Sequence, residues 1–135
     1  MLTTQCINPK ILEALAYCGH GDKILIADGN YPLASKSGDA AKVYLGLTPG
    51  IPTTTDVLAA ILSVCNIEAA QVMQPGEGAE PEIFGEFNEM LGGMTLGRLG
   101  RQEFYDACGE KNVRLAISTG EGRVYANILL TVGVA

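Results

Sequence analysis

The feature that most limits how this chain can fold is the short apolar run at residues 24–27, which has a polar turn on each side. His20, the only histidine, precedes the run between two glycines, and Asp28-Gly29-Asn30 ends it. Such a run predicts a buried strand in a sheet that is covered on both faces. Because loops next to buried strands often carry the reactive groups of α/β proteins, His20 and Asp28 are the first candidates for chemistry.

Apolar periodicity along the rest of the chain predicts helices and strands that alternate, which is typical of the α/β class. The predicted helices begin at residues 9, 53, 81 and 101, and further strands are expected at 43–45, 69–73, 113–118 and 124–132. Residues 119–123 are expected to form a hairpin turn between the last two strands. Alternation would then place Tyr125 and Asn127 on one face of the final strand.

Composition excludes several classes of partner. The net charge is -6 and only nine Lys and Arg residues are present, which argues against nucleic-acid binding. The apolar runs are far shorter than the roughly 20 residues that span a membrane, and the first residues lack a signal pattern. We therefore expect a cytoplasmic protein that binds no membrane. The four cysteines show no C-x-x-C spacing, which favours reduced, mostly buried thiols.

The usual cofactor motifs are absent from the sequence. There is no glycine-rich nucleotide-binding motif and no nucleophile elbow, and one histidine with isolated cysteines is too little for a standard zinc site. We therefore expect neither a cofactor nor a metal. The histidine, the carboxylates, Arg101 and the tyrosines suit proton transfer and the binding of a polar ligand.

Short motifs are spread along the chain in a distinctive order. They are Gly19-His20-Gly21-Asp22, Asp28 with Pro32, Gly50-Ile51-Pro52, Arg101 ahead of Phe104-Tyr105, and Thr119-Gly120-Glu121 leading to residues 125–130. In this order and spacing the motifs resemble those of the ribose pyranase / fucose mutarotase family. The resemblance covers nearly the whole chain and is poor only at about 74–100.

The resemblance implies one sugar mutarotase-like domain over residues 1–135, with a three-layer α/β/α fold around a central mixed sheet. It also implies a ring-shaped homodecamer and an isomerase that interconverts the ring forms or anomers of a monosaccharide. Arg101 and Phe104-Tyr105 are typical of the fucose branch, whereas residues 50–52 and 125–127 are closer to the ribose branch. L-fucose or a similar sugar is therefore the favoured substrate, with D-ribose pyranase as the alternative.

Carried over position by position, the resemblance assigns the catalytic acid/base role to His20. The positions that it assigns to substrate binding are Asp28, Arg101, Tyr125, Ala126 and Asn127. A change of anomer moves protons but no electrons or chemical groups, so no cofactor is required. A histidine suits this task because its ordinary pKa is about 6.5.

The spacing of His20 and Asp28 raises a geometric question. They are eight residues apart, so an extended chain at roughly 3.3 Å per residue would hold them over 20 Å apart. Either the glycine turn folds His20 back, or the pocket lies at a subunit interface and a neighbouring subunit completes it. We favour the second arrangement.

Simpler roles exist for each of these residues. His20 could be a solvated loop residue, Asp28 a turn former, and Tyr125 a packing residue within its strand. Asn127 is harder to explain in this way, because Asn is depleted in strands and needs hydrogen-bond partners when it is buried. A non-catalytic sugar-binding protein therefore remains an alternative to the enzyme, whereas an assembly module without a ligand leaves Asn127 and Arg101 unexplained.

Overall fold

The computed structural model describes residues 1–135 and contains six strands and four helices. The strands are β1 (Lys23–Ala27), β2 (Ala41–Tyr44), β3 (Ile67–Met73), β4 (Gly97–Leu99), β5 (Val113–Ser118) and β6 (Ile128–Val132). The helices are α1 (Pro9–Tyr17), α2 (Thr54–Leu62), α3 (Glu82–Met90) and α4 (Arg101–Cys108). None of the four helices has the length and apolar character of a transmembrane span.

The strands form one mixed sheet in the spatial order β2-β5-β1-β6-β3-β4. Strand β6 runs antiparallel to its neighbours β1 and β3, and every other pairing is parallel. The parallel pair of β3 and β4 is joined by the crossover helix α3, whereas β5 pairs in parallel with β1 and β2, which lie far from it in the sequence. The predicted α/β class and central mixed sheet are confirmed.

The alternation of strand β1 shows how the layers form. Ile24 and Ile26 face a large apolar cluster that includes residues of α1, α2 and α3. Leu25 and Ala27 face a smaller cluster that includes residues of α4 and of the segment 31–40. Three helices therefore cover one face of the sheet, while α4 and a loop cover the other. This arrangement confirms the three-layer fold and the burial predicted for β1.

Side-chain caps fix where α1 and α2 begin. Asn8 accepts a hydrogen bond from the backbone N–H of Ile11, and Pro9 occupies the first helical position of α1. Thr53 and Asp56 form a capping box at the start of α2. Because these signals are local in sequence, they explain why the starts of these two helices were predictable.

The hairpin expected at residues 119–123 is wrong. Strand β1 lies between β5 and β6, and β6 begins at Ile128 rather than at residue 124. The chain leaves β5 and crosses the end of β1, where both the backbone N–H and the hydroxyl of Thr119 donate to the carbonyl of Ala27. Residues 119–127, here called the crossing segment, therefore connect two strands that are not neighbours. The short strand β4 was not predicted either.

A buried carboxylate holds the crossing segment in place. Glu121 is 4% exposed, and its carboxylate accepts hydrogen bonds from the backbone and side chain of Arg123 and from the backbone N–H of Thr54 at the start of α2. Arg123 also pairs with Glu86 of α3 at 2.6 Å. The carbonyl of Glu121 accepts from the N–H of Gly29 at 2.8 Å. Glu121 thus joins α2 to the exit of β1, and its partner Arg123 extends the link to α3.

The protonation of Glu121 follows from these contacts. Burial by itself would raise the pKa of this carboxyl, but the hydrogen bonds and the charge of Arg123 lower the pKa below its ordinary value of 4.5. A lowered pKa in the folded state means that the contact stabilises the protein above the ordinary pKa. The contribution is lost as the pH falls through the folded value.

We predict that Glu121→Gln destabilises the fold by about 1–3 kcal/mol at pH 7, because Arg123 and Thr54 lose a charged acceptor. The difference from wild type should shrink as the pH falls below the ordinary pKa of 4.5 and through the lowered pKa of the folded state, where the wild-type carboxyl becomes protonated. Urea unfolding at several pH values measures both effects. Glu110→Gln, which changes an exposed carboxylate, is the control. Equal stability of wild type and Glu121→Gln at pH 7 would contradict the assignment.

Candidate active site

A cleft of about 240 Å³ lies at the edge of the sheet where the parallel strands end. Its lining residues are Asp28, Asn30, Tyr31, Met73, Arg101, Tyr105, Val124, Tyr125 and Asn127. They follow β1, end β3, belong to α4 just after β4, or precede β6, whose antiparallel direction brings its beginning to the same edge. Four of the five predicted substrate-binding residues line this one cleft. Ligands of open α/β sheets commonly bind at this edge.

The carboxylate of Asp28 and the amide of Asn127 form the buried base of the cleft. The backbone N–H of Asp28 donates to Asn127 Oδ1 at 2.8 Å, and Asn127 Nδ2 donates to Asp28 Oδ2 at 3.2 Å. The same carboxylate accepts from the N–H groups of Asn30 and Ala126. Burial raises the pKa of Asp28, and these hydrogen bonds oppose the rise by stabilising its charged form.

Ala126, the fifth predicted residue, acts through its backbone. Its side chain is buried away from the cleft, and its N–H donates to Asp28 Oδ2 at 3.3 Å. Its carbonyl accepts from the hydroxyl of Thr54, so the residue is held from both sides. Ala126 therefore supports the cleft without lining it.

Arg101 and Tyr125 form a polar rim. Arg101 Nη2 donates to the Tyr125 hydroxyl at 3.2 Å, and none of the ion pairs in the structure involves Arg101. Tyr125 has a φ of 58°, which is uncommon for a residue other than glycine. It therefore does not share a strand face with Asn127, as the sequence had suggested. The left-handed backbone instead belongs to the turn just before β6.

Tyr105 lines the cleft, although sequence reasoning left it out of the site. Its ring packs against that of Tyr31, with 5.5 Å between the centroids, and Lys36 Nζ lies 5.5 Å from the Tyr105 ring centre. The helical spacing from Arg101 to Tyr105 is four residues, which places both on one face of α4. That spacing was the available signal for Tyr105.

His20 lies outside this cleft. It belongs to the turn between α1 and β1, at the opposite edge of the sheet from Asp28. The intervening strand has five residues, or about 16 Å at roughly 3.3 Å per residue. Within one chain the glycine turn therefore does not fold His20 back toward Asp28, and that alternative is wrong. His20 lines a separate cavity of about 370 Å³.

His20 has one polar partner, Glu68, in strand β3. Its Nε2 atom lies 2.9 Å from Oε2 and 3.1 Å from Oε1 of Glu68. The side chains are 58% and 45% exposed, so solvent or another molecule can reach both. Sequence reasoning missed Glu68, because the contact joins residues 48 positions apart and depends on the order of the strands.

The thiols beside His20 are poor candidates for chemistry. All four cysteines are free. Cys18 and Cys65 line the cavity that contains His20, and burial raises the pKa of the Cys18 thiol to about 11. At neutral pH this thiol is protonated and is therefore a weak nucleophile. No group of three or more His, Cys, Asp or Glu side chains in the structure is arranged to hold a metal ion.

Comparison with known proteins assigns a family. The model of the RbsD / FucU transport protein family matches residues 1–135. A D-ribose pyranase of Symbiobacterium thermophilum is 33% identical over 134 residues, which cover 99% of this chain and 98% of that protein.

Two solved structures share the fold. Bacillus subtilis RbsD complexed with D-ribose superposes with a TM-score of 0.86 at 27% identity, covering 100% of this chain and 99% of the other. The fucose mutarotase of Streptococcus pneumoniae in complex with L-fucose gives a TM-score of 0.80 at 31% identity, covering 96% and 94%. With its whole length matched by the family model, this chain belongs to the RbsD / FucU family.

Proposed function

We propose that this protein is a cofactor-free monosaccharide mutarotase that acts on L-fucose or a similar sugar. Family membership supports activity of the mutarotase or pyranase class. The observation that carries the proposal is the cleft, where Asp28, Asn127 and Arg101 offer hydrogen-bonding groups around one small space. Its volume of about 240 Å³ lies below the range of about 300–1,000 Å³ typical of larger ligands.

Each polar group of the cleft has a function toward a sugar hydroxyl. The carboxyl oxygens of Asp28 accept hydrogen bonds, and Asn127 both donates and accepts. Arg101 has no carboxylate partner, so its planar guanidinium is available to donate to two sugar oxygens at once. The Tyr125 hydroxyl, beside Arg101, adds a further donor and acceptor.

The reaction requires two proton transfers. One proton leaves the anomeric hydroxyl while another reaches the ring oxygen, and the bond between the anomeric carbon and the ring oxygen breaks. The aldehyde then turns its other face and the ring closes with the opposite proton movements. His20 is the proposed acid/base. Because Glu68 accepts from Nε2, Nδ1 of His20 is left to exchange a proton with the sugar.

The separation of His20 from the cleft leads to a proposal about assembly. In a homo-oligomer, for which a decameric ring is our proposal, His20 and Glu68 of one subunit would face the cleft of its neighbour. The exposure of His20 supports this, as does that of Val64 and Val134, which line the same cavity and are 43% and 68% exposed. Burial of exposed apolar side chains favours contact between subunits.

Two other functions have specific support. D-ribose pyranase activity is supported by the Symbiobacterium thermophilum relative and by the ribose-bound Bacillus subtilis structure. A non-catalytic sugar-binding role is supported by the absence of His20 from the cleft of its own chain. Exchange NMR on L-fucose, D-ribose and D-galactose separates the three. A binder shifts sugar resonances without faster anomer exchange, and a pyranase accelerates ribose exchange most.

Substitution of His20 tests its proposed role in proton transfer. We expect His20→Ala to lower the rate of anomer exchange by about 10²–10⁴-fold, since positioned acid–base catalysis contributes that much. Sugar affinity should change less than the exchange rate, because Asp28, Asn127 and Arg101 of the cleft are left intact. Glu68→Gln should lower kcat by a smaller factor with KM nearly unchanged, and Glu89→Gln, at an exposed carboxylate of α3, is the control. An unchanged exchange rate in His20→Ala would refute the assignment.

Arg101→Lys tests the sugar contacts at the rim. The substitution keeps the charge but removes the planar fork of donors and the bond to Tyr125. We expect the dissociation constant of the sugar to rise by roughly 10–100-fold, the range for a lost charged hydrogen bond. Arg98→Lys, which alters the nearby exposed pair with Glu80, is the matched control. Titration followed by NMR measures both, and equal affinities in the two variants would contradict a sugar contact at Arg101.

Mixed subunits test the shared pocket. His20→Ala and Asp28→Asn should each be inactive, but a refolded 1:1 mixture should regain about one quarter of wild-type activity through pockets that combine the intact parts of both chains. The exchange rate of the mixture, compared with each variant alone, gives the result. Mixed assembly is verified by mass spectrometry of differently labelled subunits. No recovery in verified mixed assemblies would place His20 and Asp28 in separate functions.

A further inference from the structure

The cleft contains an apolar patch that the proposed sugar contacts do not use. The patch is formed by Met73, the last residue of β3, and Val124 of the crossing segment. Neither side chain offers a strong hydrogen-bonding group. In the proposed function Asp28, Asn127 and Arg101 bind the sugar hydroxyls, which leaves Met73 and Val124 to contact an apolar part of the ligand.

The sheet register determines where Met73 lies. Val72 pairs with Ile128 in the antiparallel ladder of β3 and β6, so Met73 comes next to Asn127. On the other side Met73 pairs with Leu99 of β4, two residues before Arg101. Met73 therefore lies between Asn127, just before β6, and Arg101, just after β4, so the patch adjoins the groups proposed to bind the sugar.

Packing holds Met73 in position. Its side chain is 4% exposed and belongs to the buried cluster that also contains Tyr31, Phe104 and Leu129. A sugar hydroxyl placed against this surface would lose its hydrogen bonds to water without gaining new ones, which is unfavourable. A methyl group in the same place would gain by leaving water. The patch therefore distinguishes a methyl group from a hydroxymethyl group.

We infer that Met73, together with Val124, forms the binding site for the C6 methyl group of a 6-deoxyhexose and so determines the specificity of the cleft. This inference rests on the proposed function, because it concerns the same cleft and the same class of sugar. One methyl group in an apolar pocket can change the specificity constant by roughly 10–200-fold. Since Val124 is 64% exposed and the methyl-binding site is open on that side, we expect the specificity constant to change by roughly tenfold.

Three sugars form a matched set for the test. L-fucose, L-galactose and D-arabinose in their pyranose forms share the configuration at C2, C3 and C4. They differ in the group on C5, which is a methyl group, a hydroxymethyl group and a hydrogen atom respectively. Exchange NMR gives kcat/KM for each sugar, and titration gives each dissociation constant. Wild type should favour L-fucose over both other sugars by roughly tenfold.

Substitutions of Met73 should change this order in a defined way. Met73→Ala should bring the ratio of L-fucose to D-arabinose close to one, because the apolar contact with C6 is lost. Met73→Gln should favour L-galactose over L-fucose, because its amide can bond to the C6 hydroxyl. Met73→Leu should keep the wild-type order. Each readout is a ratio measured on one preparation, so a general loss of folded protein cancels.

The outcomes separate this inference from the proposed function. Equal kcat/KM values and dissociation constants of wild type for L-fucose and D-arabinose, or unchanged ratios in Met73→Ala and Met73→Gln, would contradict the inferred contact between Met73 and the C6 methyl group. If wild type accelerates exchange of no sugar, the proposed catalysis fails, but the ratios of the dissociation constants still decide the role of Met73. If none of the three sugars binds, both proposals fail.

Discussion

The cleft depends on one buried carboxylate at the end of the central strand. A charge without partners would be costly there, and Asp28 is compensated by donors from Asn30, Ala126 and Asn127. Two of these donors belong to the residues just before β6, so satisfying Asp28 also determines where that strand begins. The left-handed turn at Tyr125 follows, and with it the hydroxyl that meets Arg101. The hydrogen bonds that compensate Asp28 therefore also determine the geometry of the cleft.

The sheet separates the cleft proposed for sugar binding from the residues proposed for proton transfer. The cleft lies at the end of β1, and the pair of His20 and Glu68 lies beyond its beginning. Strand β1 is paired on both sides and buried on both faces. Such a strand cannot bend to bring its two ends together, because close packing resists it. We therefore expect the proposed site to be completed by a second copy of the chain rather than by a conformational change. Glu121 and Arg123 add to this rigidity by joining the crossing segment to α2 and α3 respectively.

Prediction from the sequence succeeded where the signals were local. The apolar run of β1, the caps of α1 and α2, and the bounds of α4 were all recognised. The family resemblance, rather than a local signal, selected Asp28, Arg101, Tyr125 and Asn127 as a group, and these four residues line one cleft. Prediction failed where the outcome depended on strand order. Turn residues at 119–123 suggested a hairpin, but nothing nearby in sequence shows that β1 lies between β5 and β6. Glu68 was missed for the same reason.

By itself the sequence determined the α/β class, the buried central strand and the set of polar residues available for chemistry, because hydrophobic periodicity and capping act between residues close in the chain. Only the tertiary structure decided which of those residues meet. It placed Met73 beside Asn127, paired His20 with Glu68, and separated His20 from Asp28. Such contacts arise from the order and register of strands, which are set by how the whole chain buries its apolar surface rather than by any local pattern.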